Sequence, residues 1–283
     1  MSARTFEQEL KKLSRASLRN FMDPGRLEWP DAAPPDAWYF TPQLVSLHDT
    51  PAWDALDEAA RKRLSFFEAV NFFSLNIHGE KYLISEVSRR LHRGADRELS
   101  EYLLHFVEEE AKHMMYFSGF CDRYAGKVYP DRTLRIEAEQ DAGTETFLLF
   151  ARIYLFEEIV DEYNQTMARD GSLAPIAREI NRIHHVEEAR HLAFGRRYLE
   201  ESLPRVCPDD AARARIRAHL DGYATLTWKQ YYNPDAYRDA GIADPFERWQ
   251  QSFDDPRCRA HRQRIADRRF GLLRELDLLG AGA

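Results

Sequence analysis

Two stretches decide how this chain reads: Glu108-Glu109-Glu110-Ala111-Lys112-His113, and His184-His185-Val186-Glu187-Glu188-Ala189-Arg190-His191. Each contains Glu-x-x-His, as Glu110 with His113 and as Glu188 with His191. On an α-helix three residues turn through ~300°, so a glutamate and a histidine at this spacing share a face about one turn apart. A carboxylate and an imidazole placed so can hold one metal ion or two adjacent ones. A single match carries little weight, because a chain this rich in glutamate and histidine yields about one by chance.

The surroundings add the weight. Between residues 54 and 203 glycine and proline become sparse, and apolar residues recur three and four apart. The pattern predicts helices at about 56–92, 96–125, 136–169 and 174–203. Asp96 reads as an N-cap after Gly94-Ala95, and Tyr129-Pro130-Asp131 separates the second helix from the third. Asp170-Gly171-Ser172 ends the third with Gly171 in a left-handed cap, and Pro204 stops the fourth. Long helices joined by short turns favour a four-helix bundle.

Each Glu-x-x-His helix also follows a helix with a glutamate inside an apolar face. The first is Glu80, within the segment 72–84, with Glu68 and Glu86 as rivals on the same helix. The other is Glu157 or Glu158, within the segment 150–160. Glu80 precedes Glu110 by 30 residues, and Glu157 precedes Glu188 by 31. The chain thus repeats Glu, then Glu-x-x-His, which is the ligand plan of carboxylate-bridged two-metal bundles. Glu157 is favoured over Glu158 because it shares a face with Phe150, Ile153, Tyr154 and Asp161, and Asp161 could orient a ligand histidine from outside. Glu108, Glu109 and Glu187 read as surface glutamates, and His105 and His185 as packing or solvent residues. His184 lies four residues before Glu188 and seven before His191. Those offsets turn through ~400° and ~700°, which bring it to their face. The equivalent place on the second helix is Phe106, which cannot ligate. His184 is therefore either an extra ligand to one metal or a core histidine.

Residues 1–55 read as an irregular arm after a short opening helix, because Pro24, Pro30, Pro34, Pro35, Pro42 and Pro51 exclude a long one. Its aromatics (Phe21, Trp29, Trp38, Tyr39, Phe40) predict that it packs on the bundle. After Pro204 the pattern gives a helix at about 209–231, a turn region from Asn233-Pro234 to Asp244-Pro245, and a last helix at about 256–278. Nothing marks a second domain, so 1–283 reads as one, with the bundle at about 56–203 and additional helices over 204–283.

Composition narrows the function classes. The chain has 44% apolar and 12% aromatic residues, enough for a substantial core. A net charge of -7 with pI near 5.8 argues against sequence-independent nucleic-acid binding. No apolar run approaches the ~18 residues of a membrane span, and Met1 to Glu7 shows no secretory h-region. Cys121, Cys207 and Cys258 read as ordinary thiols of a reducing compartment, so the expected location is the cytoplasm. With no thiolate near either motif, the carboxylate and imidazole donors suit iron or manganese.

These residues resemble the ferritin-like diiron oxygenases, and within them the p-aminobenzoate N-oxygenase family. That family adds a third histidine in a His-x-x-x-Glu-x-x-His segment, here His184, Glu188 and His191. Glu157-Glu158-Ile159-Val160-Asp161 and the segment from Asn233 to Pro245 are also similar, and the likeness spans about residues 55 to 250. The resemblance implies an all-α ferritin-like bundle with Glu80, Glu110, His113, Glu157, His184, Glu188 and His191 as metal ligands. It implies two iron ions, O₂ as co-substrate, and oxygen transfer to the nitrogen of an aryl amine, through hydroxylamine and nitroso stages toward nitro. The implied partners are a small-molecule amine, an external electron donor and a second copy of the chain, with no nucleic acid and no membrane. A third imidazole would limit open coordination at one iron and favour amine oxidation over C–H cleavage. No substrate-binding residue carries over. Phe72, Phe73, Phe106 and Tyr154 fit a flat ligand or a core, and Arg262, Arg264, Arg268 and Arg269 fit a substrate carboxylate or a solvated face. Three rival readings remain. A diiron hydroxylase or desaturase acting on carbon would share six of the seven ligands. An iron-storage or ferroxidase bundle has no need of the 80-residue C-terminal extension. The last is a bundle with incidental motifs.

Overall fold

Aspartates start the long helices. Asp57, Asp96, Asp141 and Asp209 each accept a hydrogen bond from the backbone N–H three residues on, at 2.7–3.0 Å. Such a cap satisfies an otherwise orphaned donor and is worth ~1 kcal/mol. The computed structural model describes residues 5–91, 96–132 and 141–280, and all of its regular structure is helical. The helices are α1 (Phe6–Arg19), α2 (Pro51–Asp54), α3 (Glu58–Ser88), α4 (Arg97–Phe120), α5 (Ala142–Arg169), α6 (Pro175–Val206), α7 (Asp210–Gln230), α8 (Pro234–Asp239), α9 (Pro245–Asp254), α10 (Pro256–Arg269) and α11 (Gly271–Glu275). Helices α3 to α6 form the four-helix bundle that the sequence predicts, with α3 against α4, α5 against α6, and α4 against α6.

Small residues set how closely the bundle helices approach. An ideal Cβ on Gly195 of α6 would sit 2.7 Å from the Tyr154 ring of α5, and one on Gly79 of α3 would sit 3.0 Å from the Phe156 ring. Side chains as large as these aromatics bring ~1.5–3 kcal/mol each when fully buried, and only glycine leaves room for them here. The arm closes one side. Tyr39 packs on Phe66 and Phe120, Phe40 packs on Phe72 and Tyr163, and the Ala174 N–H donates to Trp38 O at 2.7 Å. Phe21 departs from the expectation: it is 54% exposed, with the Lys112 ammonium over its ring.

Several boundaries differ from the sequence reading. The second bundle helix is α-helical only to Phe120. It then widens into a π turn at Cys121–Ala125 that Gly126 ends at φ +62°, a left-handed conformation suited to glycine. Gly171 is not left-handed. Instead the Asp170 side chain accepts from the Ser172 N–H and from Thr41, and so holds the α5–α6 turn. Pro204 does not stop α6, which runs on to Val206. Proline cannot donate to the carbonyl four residues back, that of Glu200, so the helix forgoes one bond and ends two residues later. The expected last helix is divided at Phe270 into α10 and α11, the turn region from Asn233 to Pro245 contains α8, and α9 follows it. The proposed break at Gly94-Ala95, residue 92 of the first helix and residues 136–140 of the third lie outside the described residues. No described helix is long and apolar enough to cross a membrane. Cys121, Cys207 and Cys258 are buried free thiols.

Candidate metal centre

The spacing argument places one face of each bundle helix at the centre, and there the structure brings the acidic and imidazole groups together. Glu80 on α3, Glu110 and His113 on α4, Glu157 on α5, and His184, Glu188 and His191 on α6 are all buried. Within this set, Glu80 with His113 and His184, Glu110 with His113 and Glu188, Glu157 with His184 and Glu188, and Glu80 with Glu110 and Glu157 each bring one donor atom apiece within 4.8 Å of one another. His191 joins through Nδ1, which lies 3.0 Å from Glu110 Oε1 and 3.2 Å from Glu188 Oε1. His113 Nδ1 lies 2.9 Å from Glu110 Oε2 and 3.4 Å from Glu188 Oε1. Both Glu-x-x-His histidines therefore turn Nδ1 inward, onto both motif glutamates.

The rival glutamates are elsewhere. Glu68 is buried three turns before Glu80 and accepts from Ser46. Glu86 pairs with Arg89 and Arg90. Glu158 faces Tyr154 and Arg269. His105 sits beside Glu108 at the edge of α4.

The electrostatics fit a cation site. Burial pushes Glu80 and Glu157 well above the usual carboxylate range, and the neighbouring Glu110 and Glu188 push both further. Both oxygens of Glu80, and Oε2 of Glu157, have no hydrogen-bond partner although they are buried. A buried carboxylate oxygen with no donor is costly unless something positive meets it. Burial also opposes ionisation of Glu188, but the adjacent His191 and His184 outweigh it and hold Glu188 well below the usual range. Carboxylate and imidazole donors converging without a thiolate suit hard-to-borderline divalent metals.

Two glutamates that the sequence reading assigned to the surface prove central. Glu109 and Glu187 are fully buried at 1% and 0% exposure. His191 Nε2 donates to Glu109 Oε2 across the helix pair at 2.8 Å, and His113 Nε2 donates to Glu187 Oε2 at 3.0 Å. Each motif helix thus orients the histidine of the other. The acceptors are themselves held: Arg190 donates to Glu109 at 2.6 Å and Lys112 to Glu187 at 2.7 Å. Burial pushes Glu109 up, but its bonds to His191 and Arg190 win and pull it down to about 2. Burial likewise lowers His113, but its bonds to Glu110 and Glu187 raise it to about 9. An ionised carboxylate can only accept, so Glu187 holds a proton on Nε2; in the metal-free cation Nδ1 also carries one and donates it to Glu110, and it is this inward proton that a metal would displace. The signal was present in the sequence: both stretches read Glu-Glu-Ala, then Lys or Arg, then His.

Asp161 does not take the orienting role expected of it. It pairs with His185 and, at 2.7 Å, with Arg269, and so ties α10 to α5. Arg268 pairs with Glu162. Arg262 donates to Tyr232 and to Phe253 O. Both Arg262 and Arg264 line a cavity of about 30 Å³, together with Glu68, Phe72, Tyr163 and Tyr231. Phe73, Phe106 and Tyr154 are core residues. The Phe106 ring meets His191 edge-on at 4.1 Å, and Phe117 meets His184 at 4.9 Å. These rings wall the centre from water.

The sequence profile of the P-aminobenzoate N-oxygenase AurF family matches residues 3–277. The chain belongs to that family. It is accordingly an oxidoreductase with a dinuclear metal site, and the buried glutamate and histidine cluster fits such a site. Uncharacterised proteins of Mycobacterium tuberculosis (strain ATCC 25618 / H37Rv) and Mycobacterium bovis are each 27% identical over 266 residues, covering 89% of this chain and 74% of the relative. Among solved structures, an R2-like ligand-binding oxidase from Sulfolobus acidocaldarius aligns with 98% of this chain and 92% of its own, at 15% identity and a TM-score of 0.41.

Proposed function

We propose that this family member holds two iron ions at the centre and uses O₂ to oxygenate the nitrogen of an aryl amine. The observation that carries the reading is His184. It stands at the inner end of the α6 motif, is fully buried, and turns Nε2 to within 3.0 Å of Glu188 and 3.8 Å of Glu80. The matching place on α4 is the inert Phe106, so the two halves of the centre are unequal.

Glu110 and Glu188, each in reach of both motif histidines, would hold the two ions together with Glu80, Glu157, His113 and His191, and His184 would add a third imidazole. Iron so held supplies the reaction with O₂ that no side chain here can perform. The chain itself fixes the donors, holds Nε2–H of His113 and His191 on Glu187 and Glu109 so that Nδ1 is the nitrogen offered to a metal, and excludes water with Phe106 and Phe117. In that dry interior the charges act at low dielectric strength, where they matter most. Each oxygenation forms one N–O bond and breaks O–O: the amine, O₂, two electrons and two protons give the hydroxylamine and water. The electrons come from an external reductant.

The test is to give iron(II)-loaded protein an aniline, a reductant and ¹⁸O₂, and to look by mass spectrometry for labelled hydroxylamine, nitroso or nitro products. Label on ring carbon alone, from protein retaining two irons, would favour the hydroxylase reading and defeat this one. His184→Ala is expected to reduce nitrogen oxygenation sharply. Full iron loading together with full N-oxygenation in that variant would remove the argument from the third histidine.

A further inference from the structure

His184 is supported differently from the other two histidines. Glu187 and Glu109 back His113 and His191, whereas Asn164 of α5 backs His184. Asn164 is fully buried, and its Nδ2 lies 2.7 Å from His184 Nδ1. It follows Glu157 by seven residues, two turns along the same face of α5.

In that orientation the amide donates to Nδ1, so the imidazole proton must sit on Nε2, facing the cluster. Two groups are then stranded. Asn164 Oδ1 is buried without a partner, and His184 Nε2, although near Glu188, is not aligned to bond it. Burying unsatisfied polar groups costs ~1–3 kcal/mol each. A half-turn of the amide exchanges its two ends, and a metal at the centre would then meet Nε2. Oδ1 then accepts from Nδ1–H, and Nε2 presents a bare lone pair to the centre. An amide can act either way, whereas a carboxylate can only accept.

We propose that Asn164 is the positioning residue of His184: by accepting Nδ1–H through Oδ1, it sets the tautomer in which Nε2 can take a metal. The inference rests on the two-metal reading above. Because the partner is uncharged, it fixes the tautomer without the added basicity that a carboxylate gives to His113 and His191.

The experiment is anaerobic titration of the full-length protein with iron(II) against a competing chelator, with thermal melts of the metal-free forms as a folding control. Asn164→Leu is expected to weaken one of the two iron equivalents ~10–100-fold, the range for losing a group that orients a ligand. Asn164→Asp, whose carboxylate can also accept Nδ1–H, should restore wild-type binding to within about threefold. In Asn164→Leu/His184→Ala the losses should not add, because both act through one imidazole. Binding by Asn164→Leu within twofold of wild type would overturn the inference. So would additive losses in the double variant, or Asn164→Asp as weak as Asn164→Leu. Should Asn164→Leu fail the folding control, Asn164→Ala, which also removes the acceptor, takes its place with the same expected loss and the same overturning result. Wild-type protein that takes up no pair of irons would bring down the two-metal reading itself, and this inference with it. Intact wild-type loading with an unaffected Asn164→Leu would bring down this inference alone.

Discussion

Glu187 offers the sharpest perturbation of the centre, because it touches His113 without facing the cluster. Its Oε2 accepts from His113 Nε2 at 3.0 Å, its Oε1 accepts from Lys112 at 2.7 Å, and it is wholly buried. Glu187→Gln keeps an oxygen acceptor but removes the charge, and charge-assisted bonds are about twice as strong as neutral ones. Glu187→Leu removes the acceptor, so the proton of His113 is drawn to Nδ1, where Glu110 lies 2.9 Å away, and Nδ1 is no longer free for a metal. Groups that orient a metal ligand are worth ~10–100-fold in affinity. The expected losses are therefore ~10-fold for the glutamine and ~100-fold for the leucine, or about 1.4 and 2.7 kcal/mol. Stability separates from affinity here. Glu187→Leu also leaves Lys112 buried without its carboxylate, which costs ~3–5 kcal/mol, a large part of a typical stability of ~5–15 kcal/mol. Glu187→Leu/Lys112→Met removes both charges and should recover most of the stability while leaving the affinity low. Anaerobic iron(II) titration against a chelator reads the first quantity, and calorimetry of the metal-free protein reads the second. If the double variant recovers affinity along with stability, Glu187 is a scaffold and the tautomer argument is wrong.

Two further outcomes are expected. Burial raises the Glu68 carboxyl from its usual 4.5 to about 8 against the opposing hydrogen bond from Ser46. The folded state therefore keeps a proton that the unfolded chain sheds. Stability from this group is full below pH 4.5, falls at up to ~1.4 kcal/mol per pH unit, and is lost as pH rises through 8. Denaturant melts of Glu68→Gln should show it gaining a few kcal/mol on wild type across that window, and parallel profiles would refute the assignment. Gly195→Ala forces a Cβ to 2.7 Å from Tyr154 and should cost ~1–3 kcal/mol, whereas Gly222→Ala, with nothing within 4 Å on an exposed turn of α7, should gain ~0.5–1 kcal/mol. Thermal melts moving both variants the same way would contradict the packing argument.

The sequence by itself determined the bundle and which residues could meet at its centre. Helical periodicity is local, and a spacing of three, four or seven fixes a face wherever the helix goes. The repeated Glu, then Glu-x-x-His, therefore showed which residues share a face on each bundle helix, and the offset of His184 showed that the two halves are unequal. Helix ends were less legible. At the Gly171 turn the outcome depended on a distant residue, Thr41, which donates to Asp170. Only the tertiary structure decided the layer behind the candidate ligands. Glu109 and Glu187 lie one residue before Glu110 and Glu188, a turn of ~100° that points to solvent on an isolated helix. With α4 and α6 side by side, the same direction points into the facing helix and onto its histidine. Asp161 met the reverse fate: it shares a face with Glu157, yet α10 brings Arg269 to it first. Face membership is written in one helix, whereas partnership belongs to two, and it is set by how closely and at what height they pack.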